Sequence, residues 1–268
     1  MKKTIYLLIF IIFYSCEFEK NIDYDVYYPG DKIVVHGTIN SKDGLRVFVK
    51  KTIPPDAFDS NDVLTNPVVW LRENDTDVVQ LTPVTEYLFT LPDNYMLNQN
   101  VLYSIRASSS NLQEVFSSGQ ALSEVVPIDS LRYRPSVFQD KYVLDVFYTS
   151  SSLDLSYFLK LDLYHNGDII KTIPNFESNF EFIDVQYPDH LGLQQSTYRV
   201  GYLSEIDSIQ VKLYSLSPDY TKFIKSYEDF TNTFGDPFYE YTYPVYSNIE
   251  NGYGLFASYS YDIKSIIN

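Results

Sequence analysis

The side chains able to do chemistry are few in this sequence, and they stand far apart. Three histidines occur, His36, His165 and His190. None is spaced from another as in His-x-x-x-His, and none has a second soft ligand nearby, as a zinc site needs. They read as structural. The loop Asp56-Ala-Phe-Asp-Ser-Asn-Asp62 gathers three acids and an asparagine, oxygen donors that calcium accepts. It lacks the glycine and terminal glutamate of an EF-hand loop and reads as a solvated loop. A serine nucleophile needs a positioned base and an oxyanion hole, yet no Gly-x-Ser-x-Gly elbow or Ser-x-x-Lys motif stands out. The expectation is a protein with no catalytic, cofactor-binding or metal-binding residues, and not an enzyme. A surface hydrolase built on scattered carboxylates is the alternative in that class.

The single cysteine, Cys16, is the exception. Met1-Lys2-Lys3 forms a short positive start, Ile5 to Tyr14 is an unbroken apolar run, and Ser15 precedes the thiol. Ten residues of helix reach about 15 Å, half of the roughly 30 Å hydrocarbon core of a bilayer. A spanning helix is therefore not expected. The parts match an export signal, and the cysteine's place resembles a bacterial lipobox, although Phe13 and Tyr14 depart from its usual residues. Residues 1–15 are read as a lipoprotein signal peptide, with Cys16 the lipidated first residue of the mature chain. Two or more acyl chains anchor a protein stably where one holds it marginally. Residues 16–31 form the tether. Its Glu17 and Glu19 suit either a solvated linker or a surface-export signal.

The formal charge is −15, and loss of Lys2 and Lys3 with the signal takes it to −17. Such acidity repels phosphate backbones, so nucleic acid is excluded as a partner. It also argues against a basic patch docking onto anionic lipid. Aromatic residues make up 17% of the chain, with 26 Tyr and 18 Phe, a composition that favours pleated, half-buried surfaces.

The elements that must position these residues follow a period of two. Ile33, Val35, Gly37 and Ile39 share one face, as do Leu45, Val47 and Val49. Short runs at Pro67–Leu71, Asp77–Leu81, Thr85–Thr90, Val101–Ser108 and Glu114–Ala121 follow, separated by polar turns. About seven strands in that length predict an immunoglobulin-like sandwich over residues 32–126. A boundary is expected near Pro127, with a second β-rich sandwich over 127–268. There the strands Tyr142–Thr149 and Leu159–Leu163 alternate cleanly, and Asn166-Gly167 marks a hairpin. Further strands are expected near Asn179–Val185, Tyr198–Leu203 and Ser208–Ser215. Ser217 as N-cap and Pro218 in the first turn open one amphipathic helix, about 218–230, with Tyr220, Phe223, Ile224, Tyr227 and Phe230 on one stripe. The fold class is thus all-β, two sandwiches, one short helix. In the tail, Tyr241, Tyr243, Tyr246 and Tyr253 are candidate partner-facing aromatics, because tyrosine is apolar in its ring and wet at its tip. The alternative is that they are sheet core.

Several stretches together resemble a known family. They are Val35-His-Gly-Thr-Ile39, Lys51-Thr-Ile-Pro-Pro55, Val126-Pro-Ile-Asp-Ser-Leu131, the helix Tyr220–Tyr227 and the closing Tyr246-Ser-Asn-Ile-Glu-Asn-Gly-Tyr-Gly-Leu-Phe256. With the lipobox cysteine they resemble the domain-of-unknown-function family 4249 of Bacteroidota outer-membrane lipoproteins, over nearly the whole mature chain. The last stretch is the most specific, and its glycines also read as a tight turn re-entering a sheet. The resemblance implies an outer-membrane, lipid-anchored accessory protein, encoded beside a TonB-dependent receptor and assisting capture or uptake of a ligand. It transfers no catalytic residues. An envelope structural or assembly lipoprotein is the alternative.

Overall fold

The computed structural model describes residues 28–54, 62–135, 142–173, 185–201, 206–233 and 244–267. The strands of the first half are β1 (Ile33–Asn40), β2 (Gly44–Lys51), β3 (Val68–Glu73), β4 (Thr76–Gln80), β5 (Thr82–Pro83), β6 (Leu88–Thr90), β7 (Tyr103–Ser109) and β8 (Leu112–Ser117). Those of the second are β9 (Ile128–Pro135), β10 (Tyr142–Ser150), β11 (Ser156–His165), β12 (Asp168–Ile173), β13 (Gly192–Gly201) and β14 (Ser208–Leu216). The helix α1 (Pro218–Thr233) follows, then β15 (Ile249–Glu250) and β16 (Tyr253–Ile267). The expected strand Asn179–Val185 lies, except for Val185, outside the described residues.

Each half is a sandwich. In the first, β1-β2-β6-β5 packs against β8-β7-β3-β4, to which β15 adds a fifth strand beside β8. Lettered in chain order with β4 as C′, these are sheets ABED and GFCC′, the strand order of an immunoglobulin-type Greek key. The core lies where the alternation places it, with Ile33, Val35 and Ile39 of β1 meeting Val69, Leu71 and Ile105. In the second half β13-β10-β9 faces β12-β11-β14-β16, a related seven-strand order in which α1 is inserted before the last strand. Leu144 and Val146 there meet Leu159, Leu161, Val211 and Leu213.

The second sandwich is thus built on the plan expected for the first, a likeness that its sequence did not disclose. At Asn166-Gly167 both residues take positive φ, 52° and 85°, as the hairpin between β11 and β12 requires. The helix begins where expected, with Tyr220 N donating to Ser217 Oγ at 3.4 Å, and runs one turn further than expected, to Thr233.

The two sandwiches share one sheet. β16 pairs antiparallel with β14 and parallel with β1, so eight strands run continuously across both halves, in the order β12-β11-β14-β16-β1-β2-β6-β5. The five- and three-stranded sheets cover one face of this spine. Helix α1 covers part of the other, seating Phe223 and Ile224 on Phe158, Leu216, Leu255 and Ala257. Alternation along β16 explains how one strand serves both bodies. Phe256 enters the first core, Ser258 and Ser260 lie under the segment that connects the sandwiches, residues 118–127, and Ile266 reaches the second core.

Candidate functional site

The closing stretch singled out in the sequence sits at the joint between the sandwiches. The chain turns hard against β1 here, and two of its residues lack the side chain that would collide with the β1 backbone. A Cβ on Gly254 (φ 115°) would stand 2.0 Å from Val35 O, and one on Gly252 would stand 2.4 Å from Ile33 O. Only glycine fits either position. Asn248 then acts as a surrogate strand for the entering chain. Its Oδ1 accepts from Phe256 N at 2.8 Å, and its Nδ2 donates to Phe256 O at 2.7 Å. Ser247 Oγ accepts from Gly254 N at 3.1 Å.

Beside this turn the helix begins, and its first-turn acid is the hub of the joint. Asp219 Oδ2 accepts from Gln120 Nε2 (2.8 Å), Asn248 Nδ2 (3.0 Å) and Ser118 Oγ (3.1 Å). Oδ1 accepts from Tyr246 OH (2.9 Å) and Lys222 Nζ (3.2 Å). Partial burial alone would raise this carboxyl. The donors from Asn248, Tyr246, Gln120 and Lys222 outweigh burial and hold its pKa down at about 2. Tyr246 responds in the opposite sense: burial, then its bond to Asp219, pushes its phenol up to about 12. Five side chains from the connecting segment, the helix and the tail are thereby fastened to one anion.

A second seam lies deeper along β16. Ser123 and Ser258 hydroxyls meet at 2.8 Å, Ser215 and Ser260 at 2.6 Å, and Ser215 Oγ donates to Glu124 O at 2.9 Å. Asp262 Oδ2 accepts from Ile128 N at 2.9 Å, and Lys264 Nζ donates to Asp129 O at 2.8 Å. The connecting segment and the start of β9 are therefore laced to β14 and β16, with the carbonyls of Glu124 and Asp129 and the N–H of Ile128 each bonded.

A cleft of about 380 Å³ opens next to the hub, lined by Phe116, Ser118, Ser247, Asn248 and Glu250 among others. Ser118 and Asn248 donate to Asp219, and Ser247 Oγ accepts from Gly254 N, so the polar lining of the cleft helps hold these elements in place. Among the described residues no histidine or second carboxylate bonds to Asp219.

Of the sequence candidates, Cys16, Tyr241 and Tyr243 lie outside the described residues. Tyr253 is at the surface, 45% exposed. Tyr246 is turned to the hub and packs with the helix cluster, so its phenol is occupied within the protein. The structure does not bring these two together into one ring cluster. His36 lies on the outer face of β1, edge-on to Phe223 at 5.5 Å, and desolvation by the atoms around it lowers its pKa although part of the ring still meets water. His165 stands 3.5 Å from Asp207, and His190 pairs with its neighbour Asp189. Within the described residues no group of three His, Cys, Asp or Glu side chains could hold a metal ion. Residues 55–61 of the acidic loop are outside the described set, and Asp62 accepts from Lys50 Nζ at 2.7 Å, a bond that lowers its carboxyl pKa.

Sequence reasoning missed the hub. Asp219 was legible only as a favourable first-turn acid, and nothing local joins it to Gln120 or Asn248. A family model described as a domain of unknown function, DUF4249, matches residues 19–265. The chain belongs to this family. The match spans both sandwiches, the helix and the closing turn, so the shared-sheet body is the DUF4249 unit itself. No curated protein matches the sequence.

Proposed function

We propose that this DUF4249 protein is a lipid-anchored accessory binding protein of the outer membrane, one that docks onto a TonB-dependent receptor and assists capture or uptake of its ligand. The observation that carries the reading is Cys16, which follows a basic start, a ten-residue apolar run and the small residue Ser15. An acidic body repels anionic surfaces, and acyl chains on that thiol would hold it at a bilayer all the same. The shared eight-stranded spine supports the reading as well. Its joint is fixed by Asp219 and the serine seam, and a body held in one shape presents its surfaces to a partner with little ordering cost.

Extraction of the native membrane in mild detergent, followed by purification through the lipoprotein, tests it. A stoichiometric TonB-dependent receptor is expected. Repeated recovery of the lipoprotein alone would defeat the proposal. A deletion strain with normal uptake and altered surface-protein content would favour an assembly role in its place.

A further inference from the structure

The outer face of the three-stranded sheet breaks the acidic character of the chain. Six arginines occur in the sequence, and three of them, Arg132, Arg134 and Arg199, stand on this face. The register dictates it. Leu131 and Tyr133 of β9, Leu144 and Val146 of β10, and Tyr198 and Val200 of β13 turn to the core, so their neighbours turn outward. Arg134 and Arg199 flank Val143 from its two sides, while Arg132 and Thr197 flank Asp145. Arg132 and Arg199 are separated by two strand spacings and two residue steps, about 12 Å between backbones, a gap that long guanidinium side chains can close on a common ligand.

Among the described residues two carboxylates border the face, and both are engaged. Asp145 is buried, with Arg134 Nε at 2.6 Å, Arg134 Nη2 at 3.2 Å and Thr197 Oγ1 at 2.6 Å. Asp129, at the far end, accepts from Thr149 Oγ1 at 2.8 Å. Arg132 and Arg199 are exposed and meet no carboxylate among the described residues. The arginines of the first sandwich's five-stranded sheet behave differently, since Arg72 and Arg106 are both bound to Asp77. Apolar surface lies farther along the same face: Phe147, half-buried, is two residues on from Asp145, and Leu193, 61% exposed, is six residue steps, about 20 Å, from Arg199. Arginine sharing a face with an aromatic ring is in keeping with a protein interface.

We propose that this arginine face docks a carboxylate-rich segment of a partner protein, which under the function proposed above is the receptor; to that extent the inference rests on that reading. Guanidinium forks match carboxylates two bonds at a time. Position favours a protein over the lipid surface. The tether enters the body at Tyr28, which is bonded to Thr52 beside the start of β1. The arginine face adjoins Ile128, held by Asp262 of β16. The nine residue steps from Tyr253, which is paired with Val34, to Asp262 span about 30 Å. The face is therefore carried away from the anchored pole.

The test uses the purified full-length protein and a fluorescent poly-glutamate peptide near physiological salt. Screening over about 8 Å there suppresses repulsion from the net charge while leaving direct contacts. Binding is expected, weakened about tenfold or more when Arg132→Gln is combined with Arg199→Gln. Arg46→Gln, an exposed arginine on β2, should leave it unchanged. Absence of peptide binding, equal weakening by Arg46→Gln, or arginine-dependent binding of phosphatidylglycerol vesicles or inorganic phosphate without the peptide would each overturn the proposal. Detergent co-purification separates the two claims. A receptor recovered equally with wild type and the double variant refutes this docking face and leaves the function standing. A receptor recovered with neither defeats the function, and the peptide result then decides the face on its own.

Discussion

Replacing Asp219 by asparagine keeps the shape of the hub and removes its charge. The side chain then has one acceptor oxygen where two stood, and its new amide donors face donors from Ser118, Gln120, Asn248, Tyr246 and Lys222. Bonds to a charged acceptor contribute about 1.5–3 kcal/mol each, and not all are lost, so Asp219→Asn should cost about 2–4 kcal/mol at pH 7. Part of this cost depends on pH. The carboxyl falls from its ordinary 3.8 to about 2 in the folded protein, which corresponds to about 2 kcal/mol. The group borders an open cleft, so solvent screening trims that to about 1–2 kcal/mol. A depressed folded pKa stabilises above the unfolded pKa, and the contribution disappears as pH falls from about 4 toward 2. Asparagine has none to lose. Urea unfolding of both proteins between pH 7 and pH 2.5 should show the gap between them narrowing by about 1–2 kcal/mol on acidification. An unchanged gap, or a variant as stable as wild type at pH 7, would refute the hub's role.

Two further predictions concern the joint. Gly254→Ala should lower the Tm far more than Gly167→Ala. Both residues have positive φ, but only the first would drive a methyl into Val35 O, while the second meets nothing within 4 Å; the costs should be about 3 kcal/mol or more against about 1. Asn248→Asp places a second carboxylate where an amide now donates to Asp219 at 3.0 Å, so thermal unfolding should show a larger loss at pH 7 than at pH 4.

Much of the fold was legible because its signals are local. Alternation in β1, β2, β10 and β11, the Asn166-Gly167 turn and the Ser217–Pro218 helix start each concern neighbours in the chain. The parallel pair β1–β16 was not legible, since parallel pairing leaves no turn signature and its partners are more than two hundred residues apart. The glycines of the closing stretch were read as a tight turn re-entering a sheet. The structure adds that the strand they enter beside is the first one, which is why backbone rather than side chain fills the space. The Asp219 hub escaped for the same reason as the arginine face: each assembles only when strand register brings distant residues to one place. Acidity summed over the chain also concealed a local excess of positive charge on one sheet.

Intact-mass analysis of the protein purified from its native membrane tests the central claim most directly. A chain beginning at Cys16 and carrying the added mass of two or more acyl groups is expected. A chain retaining Met1, or one with an unmodified Cys16 thiol, would contradict it.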